Sequence, residues 1–331
     1  MRQVVVTKKG GPEVLQVREA ADPQPKPGQI RIRVRAAGVN FADVMTRLGL
    51  YPDAPPLPAV LGYEVAGEID LPQERKGERV IAATRFGGQS ELVCVDASSV
   101  YPMPAGLSFA EAASIPVVWL TAWHMLIELA NLKAGQTVLI HAAAGGVGTA
   151  AVQICKKLQA RTIGTASAAK HERLRALGLD HAIDYRTEDF EARVMDITKG
   201  HGVDVALDAT GAFKQSYRCL APMGKLMMFG ASNAVSGDKR SLWAAARAAA
   251  KMPFFHPLKM MPGNSAVFGI NMGRLWGEAE LLGREMGELM KGFASGDYKA
   301  IVDSEVPFAE APRAHQRLTS RGNFGKVLLV P

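Results

Sequence analysis

The residues that most directly suggest chemistry lie in the run 137–153, TVLIHAAAGGVGTAAVQ. Val138, Leu139 and Ile140 form a short apolar stretch of the kind buried on both faces of a sheet. A turn through Ala143, Ala144, Gly145, Gly146, Val147 and Gly148 follows, and a helix is predicted over 149–158. Strand, glycine turn and helix in that order are the setting of a dinucleotide-binding fingerprint. Gly145 lets backbone N–H groups approach a pyrophosphate, and Gly148 lets the helix lie close on the strand. The helix N-terminus adds unpaired donors and a partial positive charge. Ala143 replaces the first fingerprint glycine, so the turn must accommodate a methyl group.

The end of the next strand decides which dinucleotide fits. A fold that binds NAD places an acidic residue there for the ribose 2′-hydroxyl. The predicted strand 161–166 is followed by Ser167, and no acid occurs before Glu172 on the next helix. Ser167 and Lys170 offer a donor and a positive charge instead, with Arg173 one turn beyond, so NADP(H) is the expected cofactor. Taken alone, Lys170 would read as a solvated helix residue. No nucleophilic constellation accompanies the fingerprint: Ser90, in Gly88-Gln89-Ser90-Glu91, lacks the Gly-x-Ser-x-Gly elbow. Hydride transfer requires none, since it depends on positioning, a proton and stabilisation of a developing oxyanion.

The elements that must hold these groups are spread over 331 residues, a length suited to two domains. With 48% hydrophobic and 21% charged residues, the chain can bury a full core. Cys94, Cys155 and Cys219 are far apart, which fits a reducing compartment and neither a disulfide framework nor a four-cysteine zinc site. The first residues lack the apolar core of a signal peptide. The stretch 112–127 is broken by Pro116, Thr121 and His124, which argues against a membrane span. The net charge of +7 is scattered rather than clustered, so no nucleic-acid partner is expected.

Residues 1–118 contain short strand-like runs at 3–6, 15–19, 30–37, 64–69, 79–83 and 91–95, separated by Gly and Pro. They imply a coiled, β-barrel-like domain with one helix near 40–50. A helical stretch at 108–129, interrupted by Pro116, leads to a second pattern. There, strands at 138–140, 162–164, 182–183, 203–207 and 226–229 alternate with helices at 149–158, 170–177, 190–198 and 213–220. Such alternation implies a doubly wound parallel sheet and an α/β class. A strand at 266–270, a helix at 277–296 and a last strand at 325–330 complete the chain.

Several local signatures occur in a fixed order: Ala37-Gly38-Val39-Asn40-Phe41-Ala42-Asp43, Leu61-Gly62-Tyr63-Glu64-Val65-Ala66-Gly67, Gly77-Glu78-Arg79-Val80, Leu120-Thr121-Ala122-Trp123 and the Ala143 to Gly148 turn, then Ala311, His315 and Gly325-Lys326-Val327-Leu328. In these the whole chain resembles the medium-chain dehydrogenase/reductase superfamily, and within it the zinc-independent quinone oxidoreductases. Gly164 to Glu172, Lys225 and the extended 233–264 region look most like the synaptic-vesicle membrane protein homologue branch. The resemblance implies a GroES-like catalytic domain (1–118 and 272–331) and a Rossmann NADP-binding domain (119–271), with the cofactor in the cleft between them. It also implies a homodimer in which the strand at 266–270 pairs across the two-fold axis.

Zinc-dependent relatives read Gly-His-Glu where this chain has Gly62-Tyr63-Glu64, and carry a cysteine near Asn40. Tyr63 and Asn40 do not supply a tetrahedral ligand set, so no metal is expected. His171, His181, His201 and His315 are expected in surface helices or loops, and His141 is expected to be packed or hydrogen-bonded behind the fingerprint strand. The resemblance places Asn40, Asp43, Tyr51 and Tyr63 at the nicotinamide and substrate end, as donors, orienting groups or walls. For Asp43 a helix-capping or ribose-binding role fits equally. The resemblance also brings Thr121, Tyr185, Phe229, Gly230, Ser232, Phe268, Gly269 and Asn323 to the cofactor.

The segment 243–261 mixes Trp243, Met252, Phe254, Phe255, Met260 and Met261 with Arg247, Lys251 and Lys259. It suits a dimer contact or core filler, a lid over a hydrophobic substrate, or contact with an anionic membrane. The reading that follows is a cytoplasmic NADPH-dependent oxidoreductase acting on a quinone or enone. An enoyl-thioester reductase and a non-catalytic, membrane-associated NADP-binding protein are the alternatives.

Overall fold

A computed structural model describes residues 1–234 and 252–331. The part of the 243–261 segment up to residue 251 lies outside the described residues. The chain divides into two compact units: Met1–Leu120 with Met272–Pro331, and Thr121–Ala234 with 252–271.

The first unit is built on one long strand. Its strands are β1 (Arg2–Val6), β2 (Leu15–Glu19), β3 (Gln29–Val39), β4 (Ala59–Val60), β5 (Glu64–Leu71), β6 (Arg79–Ala83), β7 (Leu92–Asp96) and β8 (Val100–Pro102). Ile30, Ile32, Val34 and Ala36 alternate inward along β3, as a strand with one buried face requires. On one side β3 pairs with β5. On the other it pairs first with β7, through Gln29 to Arg33, and then with the C-terminal strand, through Ala37 to Val39. The tail of the chain thus completes a sheet begun near its start. Ile32, Val65, Ile69, Val80 and Val93 fill one core. Val4, Val6, Leu61, Phe308, Ala314 and Leu329 fill a second.

The helical stretch expected at 108–129 is three pieces. Ser108 and Glu111 form a capping box that starts the helix Phe109–Ala113. A second helix begins at Pro116 and ends at Trp123, followed by a wide π-type turn over His124–Leu129. The break at Ser114 and Ile115 reflects the steric demand of proline on the residue before it.

The second unit holds β9 (Thr137–Ile140), β10 (Arg161–Ala166), β11 (His181–Asp184), β12 (Val203–Asp208), β13 (Leu220–Met228) and β14 (Ala266–Gly269). Their order is β11-β10-β9-β12-β13-β14, and every neighbouring pair is parallel. This is a doubly wound sheet whose order reverses between β9 and β12. Leu139, Ile163, Ile183, Val203, Ala206 and Leu226 form its interior.

The sequence reading misses the short strands β4 and β8 and, near the end of the chain, β15 (Val302–Pro307) and the helix Ala311–Thr319, which precede β16 (Lys326–Val330). His315 corrects an expectation: it lies on that helix but is fully buried, next to the Ala311 and Ala314 core. Burial, and secondarily the Arg47 charge, pulls its imidazole down to about 3. Among the described residues no helix is long and apolar enough to cross a membrane.

Candidate functional site

The fingerprint turn solves its methyl problem through its neighbours. Ala142, not Ala143, adopts the left-handed conformation, with φ of 51°. Room for the Ala143 methyl comes from Gly164 on β10, where an added Cβ would lie 2.9 Å from Ala143 Cβ. Gly145 caps the helix Gly146–Lys157, which starts three residues earlier than expected. The N–H groups of Gly146, Val147 and Gly148 therefore occupy the first helical positions, which have no acceptor within the helix. A Cβ on Gly148 would stand 2.5 Å from the carbonyl oxygens of both Ala142 and Ala143, so only glycine allows this close approach.

Because the sheet is parallel, the C-terminal ends of its strands share one edge. Ser167 follows β10 and is nearly buried; its carbonyl accepts from the Lys170 N–H at 2.9 Å. Lys170 is half-buried. Tyr185 follows β11 and is exposed, with the Arg186 guanidinium 5.9 Å from its ring centre. Phe229, Gly230 and Ser232 follow β13. There the Phe229 N–H donates to the Asp208 carbonyl at 3.1 Å and the Ser232 N–H to the Ala209 carbonyl at 2.9 Å. Phe268 and Gly269 end β14. Thr121 lies on the helix Pro116–Trp123, nearly buried. Asn323 belongs to the first unit, where its Nδ2 donates to the Gly325 carbonyl at 2.9 Å.

A polar network stiffens the same edge. Asp208 Oδ1 accepts from the N–H groups of Thr210 and Gly211 at 2.7 and 3.1 Å, and Oδ2 accepts from the Ser216 hydroxyl at 2.7 Å. His141 joins Ser216 at 3.1 Å through Nε2 and Thr165 at 3.0 Å through Nδ1. Its burial favours the neutral ring. The structure thus places His141 as a packed, hydrogen-bonded residue. Asp208 binds within its own turn and to Ser216 on the helix Phe213–Arg218 that follows, while the link from Ser216 to His141, and through it to Thr165 on β10, carries no local sequence signal because it exists only in the folded sheet.

In the first unit, strand register assembles a second group. Val39 pairs with Val327 and Ala37 with Val65. Asn40, just after β3, is thereby brought to Glu64 at the start of β5 and Lys326 at the start of β16. Asn40 Nδ2 donates to Glu64 Oε1 at 2.9 Å, while the Lys326 ammonium donates to Asn40 Oδ1 and pairs with Glu64. Glu64 Oε2 accepts from the Val117 N–H at 2.7 Å. Glu64 is 0% and Lys326 3% exposed, so this is a buried ion pair. Gly38 leaves room for it, since an added Cβ there would meet Glu64 Oε1 at 2.3 Å. The motifs Gly62-Tyr63-Glu64 and Gly325-Lys326 stand out in the sequence, but the pair itself does not, because it exists only through tertiary pairing.

Asp43 is fully buried, and its carboxylate accepts from the Asn40 N–H at 2.7 Å and the Gly62 N–H at 3.0 Å. Burial, partly opposed by these bonds and by Lys326, pushes it up to about 7. Of the roles open to it, helix capping is the one this geometry displays. Tyr63 is 5% exposed with its hydroxyl covered; burial first, then the Asp43 charge, raises its pKa. Its polar neighbours are Thr46 and Tyr51. Tyr51 is half-buried and meets the Tyr63 ring edge-on, with centroids 6.4 Å apart.

Tyr51 and Tyr63 line a cavity of about 490 Å³ together with Asp53, Phe86, Arg274 and Trp276, among others. Among the described residues no three His, Cys, Asp or Glu side chains cluster as a metal site would require.

Comparison with known proteins agrees with this layout. Two family profiles match, zinc-binding dehydrogenase over residues 177–329 and the alcohol dehydrogenase GroES-like domain over 26–105. The human synaptic vesicle membrane protein VAT-1 homolog is 40% identical, covering all of this chain and 86% of that protein. A quinone oxidoreductase of Pseudomonas aeruginosa is 35% identical over 97% of each chain. The crystal structure of Escherichia coli quinone oxidoreductase complexed with NADPH superposes with a TM-score of 0.88 at 32% identity over all of both chains. The chain belongs to the medium-chain dehydrogenase/reductase superfamily of oxidoreductases, with a GroES-like domain and a Rossmann parallel sheet, and within it to the zinc-independent quinone-oxidoreductase-like family.

Proposed function

We propose that this protein is an NADPH-dependent, zinc-independent reductase of a quinone or another conjugated carbonyl. The carrying observation is the clamp on Asn40: Glu64 and Lys326 fix its amide from both ends, leaving one Nδ2 hydrogen without an acceptor among the described residues. At the positions where zinc-dependent relatives hold ligands, this chain thus has a preorganised donor beside a buried ammonium. That is the equipment for stabilising a developing oxyanion.

The edge of the parallel sheet fits NADPH. Gly146, Val147 and Gly148 offer backbone donors to the pyrophosphate. Ser167 and Lys170 hold the 2′-phosphate with no carboxylate at the end of β10 to oppose it, and Tyr185 lies after the adjoining strand. Phe229, Gly230, Ser232, Phe268 and Gly269 border the path toward the nicotinamide, with Thr121 and Asn323 as further cofactor contacts. When bound, NADPH supplies a hydride, and one proton completes the reduction of the acceptor. Tyr51 donates a hydrogen bond to the acceptor carbonyl, Tyr63 supports Tyr51, and Asp43 holds Asn40 in place. The same reading includes a cytoplasmic homodimer joined through β14, an edge strand of the sheet.

Loss of NADPH absorbance with a panel of quinones, enones and enoyl thioesters tests the proposal, with NADH as the control. Turnover of quinones or enones is expected. Turnover of enoyl thioesters alone would reassign the substrate. Tight NADPH binding with no turnover of any acceptor would leave a nucleotide-binding protein and overturn the catalytic reading.

A further inference from the structure

Among the described residues, the charges that line the cavity beside Tyr51 do not balance. Tyr51, Tyr63, Phe86 and Trp276 supply aromatic surface, and about 490 Å³ is the size of a small-molecule site. Three charged side chains join them: Asp53, Arg85 and Arg274. Arg274 binds Asp53 through two hydrogen bonds, Nε to Oδ2 at 3.1 Å and Nη2 to Oδ1 at 2.7 Å, so those two charges cancel. Arg85 follows β6, is exposed, and forms no ion pair among the described residues. One guanidinium is therefore left over at the rim of an aromatic pocket. Guanidinium groups bind carboxylates, sulfonates and phosphates through paired N–H donors, and they favour planar π systems as well.

Building on the reductase reading, we infer that the acceptor is a planar conjugated carbonyl bearing an anionic substituent. Arg85 binds the anion while the ring rests against Tyr51, Phe86 and Trp276. The Arg274–Asp53 pair keeps a second cation from competing and preserves a single anion position. Because Arg85 is solvated, its contribution is modest and falls with ionic strength.

The test compares naphthoquinone sulfonate with unsubstituted naphthoquinone as acceptors for the full-length protein with NADPH. The sulfonate is expected to show a kcat/KM about threefold higher, carried by KM rather than kcat and shrinking with added salt. Arg85→Gln removes most of that ratio, and Arg85→Lys restores part of it. An unchanged ratio in Arg85→Gln, or no preference in the wild-type protein, overturns the inference. Calorimetric titration with naphthoquinone sulfonate separates it from the reductase reading. Binding weakened by Arg85→Gln without any turnover supports the anion site and defeats the reductase. Turnover without Arg85 dependence does the reverse. A phosphate-bearing enoyl thioester, run in parallel, identifies which anion the site prefers.

Discussion

Replacing Lys326 by Met should destabilise the protein strongly, and replacing Glu64 at the same time should return much of the loss. The two side chains are 3% and 0% exposed and pair directly. At an effective dielectric of about 20, two such charges attract by about 4 kcal/mol, while each costs several kcal/mol to remove from water. The intact pair is therefore close to neutral overall, but losing one partner strands the other. Glu64 without Lys326 keeps donors from Asn40 and the Val117 N–H yet has no counter-charge. A cost of about 3–5 kcal/mol follows for Lys326→Met, and a similar one for Glu64→Gln, which leaves the ammonium unpaired. In the double variant the neutral side chain at position 64 keeps a carbonyl to accept from Val117, and once the Asn40 amide has turned over, freed from Lys326, the new NH2 donates to the Asn40 oxygen. The coupling energy should then be about 2 kcal/mol or more. Urea denaturation of the four proteins, at fixed salt and with matched slopes, reads it directly. Costs that add to within about 0.5 kcal/mol would refute the reasoning and remove the clamp on Asn40 from the site.

The other predictions concern the two ends of the proposed reaction and the buried core. Ser167→Asp puts a carboxylate after β10, where a 2′-phosphate would be repelled; the NADPH KM should rise at least about tenfold while NADH becomes the better donor, read from initial rates. Gly148→Ala drives a methyl against two carbonyl oxygens at 2.5 Å. It should cost about 1–3 kcal/mol in urea and weaken NADPH binding by fluorescence titration. Tyr51→Phe keeps the cavity wall and removes the donor, so kcat should fall about a hundredfold with little change in the NADPH KM. His315 has a folded-state pKa near 3 against 6.5 for the free group. The unfolded chain therefore takes up the proton first as pH falls, and stability that is full above about 6.5 declines towards 3. By about pH 5 this loss reaches about 2 kcal/mol, and His315→Leu should remove it from urea midpoints measured between about pH 7 and pH 5.

How much of this was legible in the sequence depended on how local each determinant is. The second unit was readable almost element by element, because in a parallel sheet each strand and its following turn are contiguous, and the groups proposed to bind the phosphates sit in those turns. Strand β10 fell at 161–166 as expected, and Ser167, Lys170 and Tyr185 reached the shared edge simply by following their strands. The helix start slipped from Thr149 to Gly146 because two glycines discourage a helix prediction, although here they occupy the first turn. The room for Ala143 depended on Gly164, a residue on another strand.

The first unit was harder for the same reason in reverse. Its candidate site centres on residues 40, 64 and 326, which meet because β3 pairs with β5 on one side and with the final strand on the other. Nothing near Lys326 in the sequence announces a buried ammonium, and a lysine is ordinarily expected at the surface. His315 was misplaced for a matching reason: its helix is mostly polar, and only its contact with the Phe308 and Val4 core makes the histidine face inward. The same pairing explains why the family's catalytic domain can lose its metal ligands and keep its architecture. The strands that position residues 40 and 64 are fixed by their own ladder and core, so the side chains at their ends are free to change chemistry. In this chain an amide, a carboxylate and an ammonium are found there, held by hydrogen bonds to one another and to the Val117 backbone.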